Sequence, residues 1–220
     1  MKTAVVLSGG LDSTVALYQA VANGTATIAV TIDYGQRHDK EIAYARRTAE
    51  QLGVPWKYVD LRVLGSLLVG SCLTDTAVDV PEGHYEDQSM RITVVPNRNM
   101  VLLATATSVA IANGCDTVIY GAHQGDHAVY PDCRPMFVGA MRTAMALCSY
   151  DPVNLVAPFI DQTKADIVRI GTDLGVNFAK TWSCYKGGMA HCGKCGTCVE
   201  RREAFEIAGI PDPTEYLCSE

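Results

Sequence analysis

The sequence predicts an α/β fold: a doubly wound, mostly parallel sheet with a small cysteine-bearing appendage near the C-terminus. Two observations carry this. Short apolar runs alternate with segments of helical periodicity along most of the 220 residues, as strand–helix–strand crossovers covering both faces of a parallel sheet do. Four of the nine cysteines then crowd between positions 184 and 198, beyond the last crossover. With 48% apolar residues the chain can bury one sizeable core. A single domain over residues 1–220 is expected, since no linker, repeat or low-complexity tract divides it.

The elements follow in order. Thr3 to Leu7 is an apolar strand that breaks into Ser8-Gly9-Gly10, and Ser13 to Ala22 continues as a helix that Gly24 terminates. Ala26 to Ile32 reads as a buried strand and Asp33 to His38 as a loop. Lys40 to Leu52 is a helix with Ile42, Ala45, Ala49 and Leu52 on one face. Trp56 to Val59 supplies a third strand, whereas Leu61 to Arg91 shows no clear period and stays unassigned. A nearly all-apolar helix from Met100 to Ala112 precedes a strand at Thr117 to Tyr120. Pro135 fits the first turn of a helix running to about Leu147. Thr163 and Asp166 form a capping-box pattern that opens a helix with Ile167, Ile170 and Leu174 inward.

Charge and hydropathy narrow the function classes. Eighteen basic against 24 acidic residues give a net charge of −6, so no strong basic field gathers nucleic acid, and none is expected as a partner. The best uncharged run, Asn99 to Cys115, is 17 residues long and carries Thr105, Thr107, Ser108 and Asn113, so no membrane span is expected. Met1 to Leu7 breaks into Ser-Gly-Gly before a signal-peptide apolar region is completed, which predicts a cytoplasmic chain.

Two constellations carry chemistry. Ser8-Gly9-Gly10-Leu11-Asp12-Ser13 lies between the first strand and the first helix, where free backbone N–H groups and the helix dipole favour a phosphate. Gly9 and Gly10 let the backbone approach the oxygens, and Ser8, Ser13 and Thr14 add hydroxyls. Asp12 either orders the loop or holds a magnesium ion. The loop lacks the lysine of phosphoryl-transferring loops, so cleavage to AMP and pyrophosphate is expected. Cys184, Cys192, Cys195 and Cys198 have the C-x7-C-x2-C-x2-C spacing of a tetrahedral zinc site. All four ligands being thiolates leaves no open position, so this zinc, one per chain, is expected to be structural. Lys186, Lys194, Arg201 and Arg202 are expected to offset its residual charge. His123 and His127 are spaced like helical metal ligands, but Gln124 stands where a zinc hydrolase needs Glu. With Gly125 beside them they read better as a loop at the carboxyl edge of the sheet.

At this point the chain resembles a known family. SGGLDS after the first strand is the signature of the PP-loop, or N-type, ATP pyrophosphatases, whose fold is Rossmann-like. DYGQRH at Asp33 to His38, VPNRN at Val95 to Asn99, YPDCR at Tyr130 to Arg134, and WSCY at Trp182 to Tyr185 leading to CGKCGTC and Arg201 together resemble the 7-cyano-7-deazaguanine synthases. The resemblance covers nearly the whole chain. It implies that ATP activates the 7-carboxylate of 7-carboxy-7-deazaguanine, that ammonia makes the amide, and that a second activation and dehydration make the nitrile used in queuosine biosynthesis.

It also implies nucleotide contacts at Leu7 to Thr14 and Asp33. Asp12, Arg98, Asn99, Asp126, Asp132 and Lys164 are the implied catalytic positions, with Arg98 and Asn99 facing the phosphates or reacting carboxylate. Asp126, Tyr130 and Asp132 are candidates for base recognition. Cys133 reads best as a small buried thiol, and a homodimer follows from the resemblance alone. Too few residues remain for a glutaminase, so free ammonia is expected as the nitrogen source. Position 136 departs from the family pattern, carrying Met where an acid is usual. That leaves a product stopping at the amide as one alternative. A PP-loop enzyme thiolating an RNA base is another, and a nucleotide-binding zinc module without turnover a third.

Overall fold

The computed structural model describes residues 1–217; Cys218, one of the five cysteines outside the 184–198 cluster, lies outside the described residues. Five strands form one parallel sheet in the order β3-β2-β1-β4-β5: β1 Thr3–Val6, β2 Ala26–Asp33, β3 Trp56–Asp60, β4 Thr117–Ile119 and β5 Asn154–Val156. The last strand was not expected, because three residues between a helix and a turn carry too little pattern. Helices α1 Leu11–Ala22 and α2 Lys40–Gln51 pack on one face, joined by α6 Lys164–Asp173 and α7 Gly196–Ala208. On the other face lie α4 Arg98–Ala112 and α5 Pro135–Leu147. Alternation along β1 shows why both faces need cover, since Ala4 joins the α4/α5 core whereas Val5 and Leu7 join the α1/α6 core. Among the described residues no helix is long and apolar enough to cross a membrane.

Two helices start earlier than expected and a third buries a different stripe. α1 begins at Leu11 and α4 at Arg98, each two residues early, because Gly10 in extended geometry and Asn97 at φ 58° break the preceding backbone. α2 turns its buried stripe to Glu41, Ala45, Thr48 and Ala49, leaving Ile42 only half-buried. By contrast, the Thr163 box forms as read, with Thr163 Oγ1 accepting from Asp166 N at 3.2 Å and Asp166 Oδ2 accepting from Thr163 N at 3.1 Å.

The unassigned stretch consists mostly of turns, with the short helix α3 at Arg62–Gly65. It wraps the cysteine segment: Cys72, Leu73 and Val80 pack with Cys184, Cys195 and Trp182. Glu82 bridges to Cys195, and Gly83 N donates to Lys194 O at 3.0 Å. The C-terminal cysteine segment is therefore sewn into the body at a seam far upstream in sequence.

Candidate active site

The strand order reverses at β1, whose neighbours are β2 on one side and β4 on the other. In such sheets the crevice beyond the carboxyl ends at that point receives ligands. A cavity of about 230 Å³ opens there. Its floor is the Ser8 to Ser13 loop, held in shape by its own hydroxyls: Ser8 Oγ lies 3.0 Å from Ser13 Oγ and accepts from Gly10 N at 3.2 Å. The first-turn N–H groups of α1 have no carbonyl within the helix to bond and no side-chain cap.

Gly9 has a different purpose from the one expected. At φ +95° it presses against α2, where an added Cβ would stand 2.1 Å from Glu41 O, so its bareness serves packing rather than access to a phosphate. Gly10 lines the cavity, where an added Cβ would meet Ser8 Oγ at 3.3 Å. The loop after β4 also approaches closely, though less so than α2 does at Gly9, for a Cβ on Gly121 would meet the Asp12 carbonyl carbon at 3.2 Å.

One wall is an ion-paired cluster drawn from four elements. Lys164 Nζ, at the start of α6, sits 2.8 Å from Asp12 Oδ2, 3.1 Å from Glu200 Oε2 on α7 and 3.2 Å from His123 Nε2. Burial alone would lower the ammonium's pKa, but Asp12, Glu200 and Asp126 outweigh it and raise the value. Burial likewise pushes Asp12 up, and Lys164 and His123 overcome it, holding the carboxylate ionised. Asp126 Oδ1 accepts from Tyr85 Oη at 3.0 Å, and its Oδ2 accepts from His123 N at 3.2 Å. His123 caps a 3-10 turn over Gln124–Ala128 at the carboxyl edge of the sheet, as the loop reading expects.

The opposite wall is Tyr34, His38, Glu41 and Arg98, roofed by Tyr130 and Tyr185. The Arg98 guanidinium lies over the Tyr130 ring at 5.0 Å and ion-pairs with no carboxylate among the described residues. Glu41 is only 8% exposed. Its Oε1 accepts from Gln36 Nε2 at 3.2 Å and lies 3.5 Å from His38 Nε2. Burial pushes this carboxyl up to about 8. Asp12 Oδ1, His38 Nδ1 and Tyr120 Oη are buried without a hydrogen-bond partner, and all three residues line the cavity.

Of the residues expected here, Leu7, Ser8, Gly10, Leu11, Asp12, Ser13, Arg98, Asn99, Asp126 and Lys164 line the cavity. Gly9, Thr14, Asp33 and Asp132 do not. Asp33 is occupied at the end of β2, accepting from Tyr58 Oη at 2.7 Å and from Gly35 N at 2.9 Å. Asp132 braces α4 instead, its Oδ2 accepting from Asn99 N at 2.9 Å. Cys133 is the buried thiol expected, raised by burial and holding Asn99 Nδ2 at 3.2 Å. Met136 is 89% exposed at the start of α5 and does not line the cavity.

Glu41, Glu200, Tyr85 and Tyr120 escaped the sequence reading. For the two glutamates a signal existed. Glu200 falls in the buried stripe Thr197, Cys198, Glu200, Arg201, Ala204, Phe205, and Glu41 in that of α2, each a charge where an apolar residue belongs.

The four cysteines meet as their spacing predicts, with every sulfur within 4.8 Å of the others. The 3.9 Å between Cys192 Sγ and Cys198 Sγ matches the roughly 3.8 Å edge of a tetrahedron with ~2.3 Å zinc–sulfur bonds. Backbone N–H groups of Cys192, Lys194 and Cys195 point at the sulfurs, as donors do where thiolates carry charge. The expected cationic offset is partly diverted. Lys186 pairs with Glu82 at 2.5 Å, and the fully buried Arg201 pairs with Asp212 at 3.3 Å and ties Thr181, Ser183 and Phe178 together.

The chain is 53% identical to a 7-cyano-7-deazaguanine synthase of Rhizobium meliloti over 98% of its length and 92% of that protein. It is 52% identical to one of Brucella ovis over 98% of its length and 94% of the relative. Among solved structures, the U34-tRNA thiolase NcsA of Methanococcus maripaludis aligns at TM-score 0.52 and 16% identity, covering 99% of this chain and 75% of the other. An NMN synthetase of Francisella tularensis aligns at 0.50 and 16%, over 96% and 78%. Both are likenesses of fold alone. The description "Queuosine biosynthesis protein QueC" matches residues 2–209, and the chain belongs to that family.

Proposed function

We propose that the chain converts 7-carboxy-7-deazaguanine and ammonia to 7-cyano-7-deazaguanine at the expense of ATP, in the cytoplasm, releasing AMP and pyrophosphate. The observation that carries this is the pairing, in one cavity, of an anion-ready helix start with an unpaired guanidinium on the facing wall. A carboxylate cannot expel oxide, so its oxygen must first be joined to AMP. Pyrophosphate departs toward the N–H groups of Leu11, Asp12 and Ser13 with Lys164 beside them, where developing charge meets fixed donors. Asp12, whose Oδ1 has no hydrogen-bond partner, would hold a magnesium ion, which would supply further charge neutralisation.

Arg98 holds the reacting carboxylate, and Asn99 orders the turn that presents Arg98. Asp126 accepts from the amidine-like edge of the base. Asp33 shapes the nucleotide side by fixing Gly35 and Tyr58, and Asp132 acts through Asn99. After ammonia has displaced AMP, the amide oxygen is activated in the same site and leaves with AMP as the nitrile forms. Since Met136 lies outside the cavity, its departure from the family pattern gives no reason for the reaction to stop at the amide.

Zinc on Cys184, Cys192, Cys195 and Cys198 is structural in this reading. A homodimer is supported by exposed Met100 and Ile111 on α4 and Met136 and Leu147 on α5, which leave apolar surface on two neighbouring helices. Incubation with the acid, ammonium and ATP tests the reaction. AMP, pyrophosphate and nitrile are expected only when the acid is present, and glutamine is not expected to replace ammonium. ADP as the main product would overturn the assignment.

A further inference from the structure

The DYGQRH segment carries part of the family resemblance, yet the reaction above uses only Asp33 from it. The structure shows what the rest of the segment builds. Tyr34 N donates to Gln36 Oε1 at 3.0 Å, and Gln36 Nε2 donates to Glu41 Oε1 at 3.2 Å, with His38 Nε2 3.5 Å from the same oxygen. His38 leans on Tyr185 with ring centroids 5.3 Å apart, and its Nδ1 has no partner. Tyr34, His38 and Glu41 all line the cavity.

The cavity's other carboxylates are already committed. Asp12 is bound to Lys164, and Asp126 to a tyrosine hydroxyl and a backbone N–H. Glu41 alone among them has only a neutral amide and an imidazole for company. Burial without a lysine or arginine partner is an expensive place for a carboxylate, and it suits a group that is meant to take up a proton.

The reaction needs such a group. Ammonia is mostly ammonium at neutral pH, and ammonium has no lone pair with which to attack an acyl adenylate. We infer that the bay formed by Tyr34, His38 and Glu41 is the ammonium site, with Glu41 as the base that frees its lone pair next to the carboxylate held by Arg98. Glu41 takes one proton and the electron pair of that N–H bond stays on nitrogen. The lone pair forms the C–N bond, the C–O bond to AMP breaks, and its electrons leave with AMP. The surplus proton on the new amide nitrogen passes to water, and Glu41 then releases its own. Glu41 and Arg98 line the same cavity, so an ammonium held by Glu41 shares it with the carboxylate held by Arg98.

This inference rests on the proposed synthase reaction, and the test separates the two. Acid-dependent exchange of pyrophosphate into ATP reads adenylation alone. Hydroxylamine, largely neutral at neutral pH, traps the acyl adenylate as a hydroxamate without needing a base to free its lone pair. Glu41→Gln is expected to cut amide formation from ammonium at least about hundredfold while exchange and hydroxamate formation stay within about threefold. Glu41→Asp should recover part of the ammonium reaction. Equal loss with both nucleophiles, or loss of exchange, would overturn the role of Glu41. Absence of exchange in the unaltered protein would overturn the synthase reading itself, and this site with it.

Discussion

The two walls of the cavity are charged in opposite styles. On the Lys164 side every charge has a partner within about hydrogen-bond reach, and the partners come from α1, α6, α7 and the turn after β4. On the Arg98 side a half-buried guanidinium and a buried carboxyl have no oppositely charged lysine, arginine or carboxylate partner, one lying over an aromatic ring and the other against an amide and an imidazole. A paired cluster is preorganised to stabilise charge that develops during a reaction. An unmatched one is incomplete until substrates supply the missing charges. The wall with the worse electrostatics is therefore the one expected to receive reactants.

The largest effect should come from breaking the incomplete wall. Arg98→Met removes the only cation there, so acid-dependent pyrophosphate exchange should fall by about a thousandfold, while ATP binding by the loop weakens far less. Lys164→Met tests the complete wall. It leaves Asp12 and Glu200 facing each other, so both exchange and stability should suffer, the latter by about 3 kcal/mol in urea unfolding. Loss of exchange in Lys164→Met with unchanged stability would show that the cluster is not the brace its geometry suggests.

Stability against pH sharpens the same comparison. Glu41 ionises near 4.5 when unfolded and near 8 when folded. Between those values the unfolded chain sheds a proton that the folded chain keeps, so stability falls as pH rises through that window. Glu41→Gln abolishes this dependence. The variant should be more stable than its parent by roughly 4–5 kcal/mol at pH near 8, with the gap closing below about 4.5. His38, driven down to about 3 by burial, then by Arg98 and Arg37, acts in the opposite sense. Its contribution is full above 6.5 and is lost as pH falls from there toward about 3, so the parent's maximum lies between the two limbs. Thermal unfolding across pH checks both slopes, and a Glu41→Gln curve parallel to the parent's would mean that Glu41 is ionised in the folded state.

How much of this was legible depended on range in sequence. SGGLDS, the Thr163 cap and the four cysteines are local devices in which neighbours along the chain perform the chemistry, and each forms where its residues stand. The two walls are assembled from distant pieces: Lys164 finds Asp12 across 152 positions, and Tyr85 finds Asp126 across 41. Only the fold brings these together. Residues 61–91 were unreadable for a related reason. Their backbone follows the cysteine segment, so no period of their own dictates their path. Gly9 was read as an opening for phosphate because its real neighbour, Glu41 O, lies 32 residues further along.

The smallest effect is expected at Met136. An acidic residue in its place would be fully hydrated on the first turn of α5, where a negative charge also suits the helix dipole. Per-chain nitrile formation by Met136→Glu should therefore stay within about threefold of the parent's, which corresponds to less than about 0.7 kcal/mol in the barrier. Its consequence belongs to the surface. If α4 and α5 bury their exposed methionines and leucine against a second copy, a carboxylate there is desolvated on association. Sedimentation should then show the variant dissociating at a concentration where the parent is still a dimer. An unaltered dimer with unaltered turnover would move the interface elsewhere. Conversion of an amide-accumulating parent into a nitrile producer would instead bring Met136 into the reaction, against its exposure in this structure.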